Sequence, residues 1–361
     1  MTKKKVVHVI DDLGRGGAET MLVDLLRNLS EEYELTLVTL RPKIEFEPEQ
    51  VICKEHISLN YYGAKDLFAA ANTLKAIIKR VQPDLVRCQL YWSTIIGRMA
   101  CPRSIPLFFS VHATMNEDPI AFYKRYFLYL LERLTYRKYQ NMIGVTQAVV
   151  DSFIKVHPDH GRTYLLHNFV RDAFFAVAYE PSFARGKPLR LVTVSNLRLI
   201  KNIGYLIEAM RLMQDKDVWL DIYGDGPLKA DLEDSIRRYG LKNVRLMGKR
   251  TDIYSVLPQY DVFISPSTVE GFGIAVAEAM SVGLPVIISD IPVYREICKD
   301  KAIYLDNKAP SSLTTIIQSI LEGATSLQKL SADNREYAQK MFSKQGYLLK
   351  LKEIYDKAAE K

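Results

Sequence analysis

The feature that most constrains the fold of this chain is an alternation that continues from one end to the other. Short runs of β-branched and other apolar residues alternate with longer stretches whose apolar residues recur at helical spacing. This pattern is typical of parallel β-sheets covered by helices. The predicted strands of the first half are 6–10, 34–40, 51–59, 84–90, 106–112, 142–146 and 165–170. Those of the second half are 189–195, 218–224, 244–248, 261–267, 285–290 and 302–306. The sequence therefore predicts an α/β chain with two doubly wound parallel sheets.

The length of the chain also favours two domains, because a single hydrophobic core stops growing at roughly 250 to 300 residues and this chain has 361. The periodicity stops at 171–187, where Pro181 and Gly186 indicate a linker. We expect an N-terminal domain at 1–170 and a C-terminal domain at 188–343. The last stretch, 344–361, is predicted to be an amphipathic helix that folds back onto either domain.

Composition excludes several classes of protein. Hydrophobic residues make up 48% and charged residues 25% of the chain, which excludes disordered and collagen-like proteins. No apolar run approaches the roughly 18 residues of a membrane span, and 6–10 is too short for a signal peptide. We therefore expect a cytoplasmic protein. The net charge of +7 permits an anionic substrate or membrane surface without indicating either.

The four cysteines lie far apart, without a Cys-x-x-Cys pair, and the histidines form no close cluster. This spacing fits neither a disulfide framework nor a zinc site. We expect no metal site.

A glycine-rich turn follows the first predicted strand and contains Gly14, Gly16 and Gly17. A glycine turn that opens a helix offers backbone N–H groups to a phosphate. Glu19 takes the third glycine position of the dinucleotide fingerprint, so a nicotinamide enzyme is disfavoured. The turn is expected either to approach a phosphate or merely to reverse the chain.

Two glutamates near a predicted strand-to-helix turn carry the strongest signal. Glu270 lies in the loop after strand 261–267, and Glu278 lies in a helix predicted to begin near Gly273. Glu278 lies about five residues into this helix, roughly 7.5 Å along its axis from the start, so the two carboxylates would reach different parts of one ligand. The N–H groups of Phe272, Gly273 and Ile274 would face a phosphate at this helix N-terminus. Glu278 either binds a ligand or forms a buried structural salt bridge.

Two cations follow the first predicted strand of the second half. Arg198 and Lys201 could clamp a diphosphate, although alone they could equally be solvated. Gly224 and Arg250 follow two further strands and could border a nucleobase. Because open parallel sheets bind ligands beyond the carboxyl ends of their strands, we expect a site between the two domains.

Together these residues resemble the family-4 retaining glycosyltransferases, which have two facing Rossmann-like domains (the GT-B fold). The resemblance covers nearly the whole chain, and the Glu270/Glu278 pair matches the family's glutamate, seven residues, glutamate motif. It implies that Glu278 binds the donor ribose, that Glu270 lies by the transferred sugar, and that Lys201 binds the donor diphosphate. Where the family carries Gly-Arg-Leu, this chain has Asn196, so the arginine role is assigned to Arg198.

The resemblance extends to the first domain. Gly16, Gly17 and Glu19 match a loop that borders the donor phosphate and the acceptor. His112 matches a histidine that approaches the donor sugar, the alternative being a strand-end histidine bonded to backbone. The segment 344–361 resembles the helix that returns to the N-terminal domain.

The implied activity is that of a metal-independent, retaining hexosyltransferase. It would use a nucleotide-diphosphate sugar as co-substrate, no cofactor, and a glycan or lipid-linked acceptor. The expected setting is bacterial surface glycan biosynthesis: lipopolysaccharide, capsule or exopolysaccharide. A nucleotide-sugar epimerase of the same architecture and a catalytically silent nucleotide-sugar-binding protein remain alternatives. No nucleic-acid partner is expected.

The segment 119–140 carries two stripes at helical spacing. One is predicted to be core: Tyr123, Phe127, Leu130, Leu131 and Leu134. The other is predicted to rest on an anionic membrane at the inner face of the plasma membrane, although a solvated or dimer face is an alternative. It contains Phe122, Arg125, Tyr126, Tyr129, Arg133, Tyr136 and Arg137.

Overall fold

The computed structural model describes residues 3–112, 122–179 and 186–359. These residues divide into two compact units. The first unit runs to His167 and also takes Leu349–Lys361, and the second unit is Asn168–Leu348. Each is described by itself below.

The described part of the first unit contains a seven-stranded parallel sheet in the order β3-β2-β1-β4-β5-β6-β7. Its strands are β1 (Lys4–Ile10), β2 (Tyr33–Thr39), β3 (Glu55–Ser58), β4 (Leu85–Gln89), β5 (Leu107–Val111), β6 (Asn141–Gly144) and β7 (Thr163–Leu165). Its helices are α1 (Gly17–Leu29), α2 (Leu67–Val81), α3 (Tyr91–Ala100), α4 (Phe122–Thr135) and α5 (Gln147–Val156), with short 3₁₀ turns at Pro48–Gln50 and Ala64–Asp66.

The described part of the second unit contains a six-stranded parallel sheet in the order β10-β9-β8-β11-β12-β13. Its strands are β8 (Leu189–Val194), β9 (Val218–Tyr223), β10 (Val244–Gly248), β11 (Val262–Ser265), β12 (Val286–Ser289) and β13 (Ile303–Leu305). Its helices are α6 (Asp172–Ala176), α7 (Ile203–Arg211), α8 (Lys229–Arg238), α9 (Ile253–Val256), α10 (Ile274–Val282), α11 (Pro292–Cys298), α12 (Pro310–Leu321) and α13 (Leu327–Phe342), with 3₁₀ turns at Leu199–Lys201 and Leu257–Gln259. The last helix, α14 (Lys344–Ala359), begins in the second unit, and its residues from Leu349 onward belong to the first.

The predicted fold class, two doubly wound parallel sheets, is confirmed. In each sheet the strand order reverses beside the unit's first strand, between β1 and β4 in the first unit and between β8 and β11 in the second. Such a reversal leaves a crevice at the carboxyl ends of the strands, because the connections on its two sides leave toward opposite faces. The glycine turn follows β1, and the loops that carry Lys201 and Glu270 follow β8 and β11. The candidate residues therefore lie beside the two crevices.

Two sequence-based expectations differ from the structure at the boundary between the halves. The strand predicted at 165–170 is wrong, because β7 ends at Leu165. The apolar residues that follow, Phe169 and Val170, are buried without belonging to the sheet. Within the segment predicted as a linker, 171–187, the structure has α6, whose Phe174 is fully buried. An apolar run alone does not distinguish a strand from a packed, irregular segment. A loss of periodicity alone does not distinguish a linker from such a segment.

The face assignment of the predicted membrane helix is wrong in part, although Tyr126, Arg133 and Arg137 of the outer stripe are exposed as predicted. Phe127, Leu130 and Leu134 of α4, predicted to be core, are 44%, 41% and 58% exposed. Tyr136, predicted on the outer stripe, is buried. The physical reason is Glu132, which turns inward to pair with Arg98 and is itself buried. The side chains of Phe122, Tyr123 and Arg125 lie outside the described residues.

Candidate functional site

Three loops at the carboxyl edge of the second sheet are bonded to one another. The N–H of Thr268, after β11, donates to the carbonyl of Ile200, after β8, at 2.8 Å. The amide of Asn202 donates to the carbonyl of Asn307 at 2.9 Å, and the amide of Asn307 donates to the carbonyl of Ser267 at 3.1 Å. These bonds fix the loops after β8, β11 and β13 relative to each other, so side chains that they carry have defined positions.

A lysine and a glutamate meet at the centre of this cluster. Lys201 Nζ lies 2.7 Å from Glu270 Oε1, with the side chains 20% and 11% exposed. The same oxygen accepts hydrogen bonds from Ser267 Oγ at 2.8 Å and from the Tyr294 hydroxyl at 3.2 Å. The carboxylate is thus held by three donors, and two of the sequence-predicted residues are in direct contact.

Gly273 allows the loop to turn into α10. Its φ of +82° is in the left-handed region, and a Cβ at this position would lie 2.5 Å from the ring of Tyr294. No larger residue fits this backbone without displacing a fully buried ring. Ile274 is the first helical residue, so the backbone N–H groups there face outward from a helix N-terminus. The side chain of Phe272 is buried against Phe342 and anchors the turn.

Glu278 is the fifth residue of α10 and is partly buried among apolar neighbours. It forms no hydrogen bond or ion pair with any described residue. Burial raises the pKa of its carboxyl to about 7, an effect that the positive charge of Arg171 partly opposes. The described residues therefore do not contain the structural salt bridge that was the alternative for Glu278, and its oxygens remain open to ligand hydroxyls.

The other predicted residues of the second unit lie on the same edge in different settings. Arg198 is exposed and immediately precedes the 3₁₀ turn that carries Lys201. Gly224 permits a close approach, since a Cβ there would lie 1.8 Å from the carbonyl oxygen of Ser195. Arg250 is held by both oxygens of Asp252, at 2.9 and 2.6 Å. Among the described residues Arg250 does not contact the other predicted residues.

The glycine turn of the first unit follows β1. Gly16 is the N-cap of α1, and Gly17 is its first residue and is exposed. The atoms nearest to a Cβ at Gly16 would be those of the Glu19 carboxylate, at 2.3 Å, which is the end of a flexible side chain. Burial raises the pKa of Glu19, and the charges of Asp12 and Asp11 raise it further. The turn therefore lies against an acid whose burial disfavours its charged form.

His112 follows β5 at the same edge of the first sheet. Its Nε2 is buried and has no hydrogen-bond partner among the described residues. Burial lowers the pKa of His112 to about 4, and the charge of Arg87 contributes. The imidazole is therefore neutral near pH 7, with one ring nitrogen that no described backbone group satisfies. The alternative of a histidine bonded to backbone through this nitrogen is not supported.

Sequence reasoning missed Tyr294, which contacts Glu270 and lies beneath Gly273. Tyr294 belongs to α11, which follows β12, and β12 pairs with β11 in the sheet. The adjacency of these two strands brings Tyr294 to the Glu270 loop. An Ile-Pro-x-Tyr segment directly after a buried strand was a usable signal, provided that the strand order had been known.

Two family models match successive parts of the chain. Glycosyltransferase Family 4 matches residues 15–174, and Glycosyl transferases group 1 matches residues 179–341. Over 80% of each chain, the sequence is 26% identical to EpsF of Bacillus subtilis (strain 168). It is 32% identical to the O-antigen biosynthesis glycosyltransferase WclY of Escherichia coli, over 34% of this chain and 35% of WclY. The crystal structure of Anabaena HepE in complex with UDP and glucose has the same fold, with a TM-score of 0.82 at 18% identity over 98% of this chain and 100% of HepE.

Proposed function

The chain belongs to the group 1, family-4 glycosyltransferases, and from this premise we propose that it moves a hexosyl group from a nucleotide-diphosphate sugar to an acceptor hydroxyl, with retention of the anomeric configuration. The observation that carries the proposal is the contact of Lys201 with Glu270 beside the N-terminus of α10, at the reversal point of the second sheet. A cation, a carboxylate and outward-facing N–H groups on one edge suit a sugar diphosphate.

Each group has a part in this reaction. Negative charge grows on the diphosphate as the glycosidic bond breaks, and Lys201, Arg198 and the N–H groups at the start of α10 stabilise it. An ammonium has three hydrogens, so Lys201 can retain Glu270 and still donate to phosphate. Glu278 accepts hydrogen bonds from the donor ribose. Because cations are available for the leaving group, the reaction needs no metal ion or cofactor.

The first unit carries the groups proposed for the sugar and the acceptor. Neutral His112 offers a ring nitrogen to a sugar hydroxyl, and the turn at Gly16 and Gly17 admits phosphate and acceptor. Gly224 and Arg250 border the nucleotide. We do not assign a nucleophilic carboxylate; the donor phosphate takes the proton of the acceptor hydroxyl.

The acceptor proposed is a glycan or lipid-linked glycan of the bacterial surface, as in lipopolysaccharide, capsule or exopolysaccharide synthesis. The name of WclY, which refers to O-antigen biosynthesis, supports this setting. The complex of HepE with UDP and glucose makes UDP-sugars the first donors to test.

The test is isothermal titration against UDP-, GDP- and ADP-sugars, followed by turnover with and without acceptor. Transfer to an acceptor glycan, with the anomeric configuration kept in the NMR spectrum of the product, is the expected result. Interconversion of the donor without acceptor would instead identify an epimerase. Tight donor binding with neither reaction would identify a silent binding protein.

We also propose that α4 rests on an anionic membrane, at the inner face of the plasma membrane. No helix among the described residues is long and apolar enough to cross a bilayer. The exposed face of α4 carries Phe127, Leu130 and Leu134, with the exposed cations Arg133 and Arg137 beside them. The single acid in 126–138, Glu132, is buried in its pair with Arg98. An apolar stripe with two exposed cations beside it suits anionic lipid, where each basic group contributes about 1 kcal/mol.

Co-sedimentation with phosphatidylglycerol-containing and neutral vesicles tests this surface. Leu130→Asp/Leu134→Asp should abolish binding, and Arg133→Glu/Arg137→Glu should remove its dependence on anionic lipid. Leu212→Asp, at a leucine that is 50% exposed on the second unit, is the matched control and should bind as wild type does. Equal binding by all variants would contradict the proposal, and a concentration-dependent dimer lost in the first variant would show that α4 is a self-association face.

A further inference from the structure

Three buried hydroxyl groups lie beneath the Glu270 loop. Ser265 ends β11, Ser267 follows it, and Tyr294 comes from α11; their exposed fractions are 9%, 1% and 0%. Ser265 Oγ lies 2.6 Å from the Tyr294 hydroxyl and 3.2 Å from Ser267 Oγ. Buried hydroxyl groups of this kind must satisfy each other or a nearby acceptor, and here the acceptor is Glu270.

A count of hydrogens fixes the direction of these bonds. Each hydroxyl has one hydrogen to donate. The hydrogens of Ser267 and Tyr294 are donated to Glu270 Oε1, at 2.8 and 3.2 Å. Since the hydrogen of Tyr294 is then in use, Ser265 donates to the Tyr294 oxygen. The chain Ser265 to Tyr294 to Glu270 therefore ends at the carboxylate, and each bond of such a chain strengthens the next.

The two oxygens of Glu270 consequently differ. Oε1 accepts from Lys201, Ser267 and Tyr294. Oε2 has no hydrogen bond with any described residue. Three donors on one oxygen hold the carboxylate in a single orientation and leave the other oxygen as the acceptor for a ligand.

We propose that Tyr294 is a positioning residue that fixes the Glu270 carboxylate so that Oε2 accepts a hydrogen bond from a hydroxyl of the transferred sugar. The inference rests on the proposed glycosyl transfer and adds the residue that orients its sugar-binding carboxylate. Tyr294 has a second contact, its ring beneath Gly273, which is a packing role. Tyr294→Phe separates the two, because it keeps the ring and removes only the hydroxyl.

Tyr294→Phe should lower kcat about tenfold while the Tm stays within a few degrees of wild type, since the hydroxyl acts on a charged partner. The matched control is Tyr337→Phe. The hydroxyl of Tyr337 is also buried and has no partner among the described residues, and its ring packs edge-on against Phe342. Removing it should leave kcat unchanged. Equal losses in the two variants would assign the effect to packing and overturn the proposal.

A double-mutant cycle with Glu270→Ala decides whether Tyr294 acts through Glu270. In the wild-type background Tyr294→Phe should also weaken donor affinity measured by titration, and in the Glu270→Ala background it should have no further effect on that affinity. A second, additive loss in that background would overturn the positioning role. Because titration needs no turnover, the cycle can be measured even if the wild type transfers no sugar. An absence of transfer would count against the proposed function and not against the positioning role.

Discussion

The two reversal points of this chain have the same topology but are built differently. In the second unit, Glu270 is held by three donors, and Gly273 is pressed against the ring of Tyr294. In the first unit, His112 has a ring nitrogen without a described partner, and the atoms nearest to a Cβ at Gly16 belong to the flexible side chain of Glu19. The arrangement in the second unit is rigid, and the arrangement in the first unit is adaptable.

The difference follows from what each region is proposed to bind. Stabilising charge on a leaving diphosphate requires cations and N–H groups that are already in place before the bond breaks. A sugar hydroxyl needs a neutral hydrogen-bonding group, which is the part proposed for His112. In the proposed function, the region that stabilises the leaving group is therefore fixed, and the region beside the sugar and the acceptor can adjust.

Substitutions of the cations in the rigid site of the second unit are expected to have the largest effect. Lys201→Ala should lower kcat by about two to three orders of magnitude, the scale of losing one preorganised donor at a site where charge develops. Donor affinity should fall less, because the charge grows in the transition state. Arg198→Ala should act in the same direction, whereas Asn196→Ala should have little effect. Steady-state kinetics of the three variants measures this.

The control is Lys216→Ala, at an exposed lysine paired with Asp215 on the amino side of β9. It should match wild type. EDTA should leave wild-type turnover nearly unchanged. Turnover abolished by EDTA, or Lys201→Ala at wild-type kcat, would contradict leaving-group stabilisation by side-chain cations.

The next largest effect is expected on donor binding. Above pH 7, where this carboxyl is ionised, Glu278→Ala should weaken donor affinity about ten- to a hundredfold, because it removes hydrogen bonds to a charged acceptor worth about 1.5 to 3 kcal/mol. The fold should survive, since no described residue depends on this carboxylate. Glu233→Ala, at an exposed glutamate of α8, is the control. Unchanged affinity together with a large loss of Tm would show that Glu278 is structural.

Alanine substitutions of one glycine in each unit test whether the second unit's site is more rigid than the first unit's turn. Gly273→Ala combines a φ of +82° with a contact to a buried ring and should cost about 1 to 3 kcal/mol of unfolding free energy. Gly16→Ala has a φ of −90° and meets a side chain that can move, so it should cost less than about 1 kcal/mol. Urea denaturation of both variants measures the two costs. Similar costs would remove the contrast between the two regions.

Gly204→Ala supplies the reference for an unobstructed helix position. A Cβ there would meet nothing within 4 Å, and the residue lies in α7. It should stabilise the protein by about 0.5 to 1 kcal/mol. This value is used to correct the unfolding free energies of the other two glycine variants for the lower conformational entropy that alanine gives the unfolded chain.

The alternation of apolar runs was enough to predict the strands of both sheets except for the bounds of β7, and the loop motifs were enough to select Lys201 and Glu270, which the structure brings into contact. Neither Tyr294 nor the orientation of α4 could be predicted in this way. Tyr294 reaches Glu270 only because β12 pairs with β11. The face of α4 that carries Glu132 is buried because Glu132 pairs with Arg98 on α3. Helical spacing identifies a stripe, but the partner from another element decides which stripe is buried.

The smallest effect concerns the unpartnered carboxyl of Glu278. Its pKa is about 7 in the folded protein, above its ordinary value of 4.5. Between these values the folded chain binds more protons than the unfolded chain, so the protonated carboxyl stabilises the fold below about pH 4.5, and this contribution is lost as the pH rises through 7. Glu278→Gln carries no charge at this position and should therefore raise the Tm by roughly 2 to 4 °C above about pH 8, with little change near pH 5.

The same variant should weaken donor binding above pH 7, and the donor affinity of the wild type should fall as the pH drops through 7. Thermal denaturation and donor titration across this range measure both effects. A Tm that does not respond to the substitution at high pH would mean that a partner stabilises the charged carboxyl of Glu278.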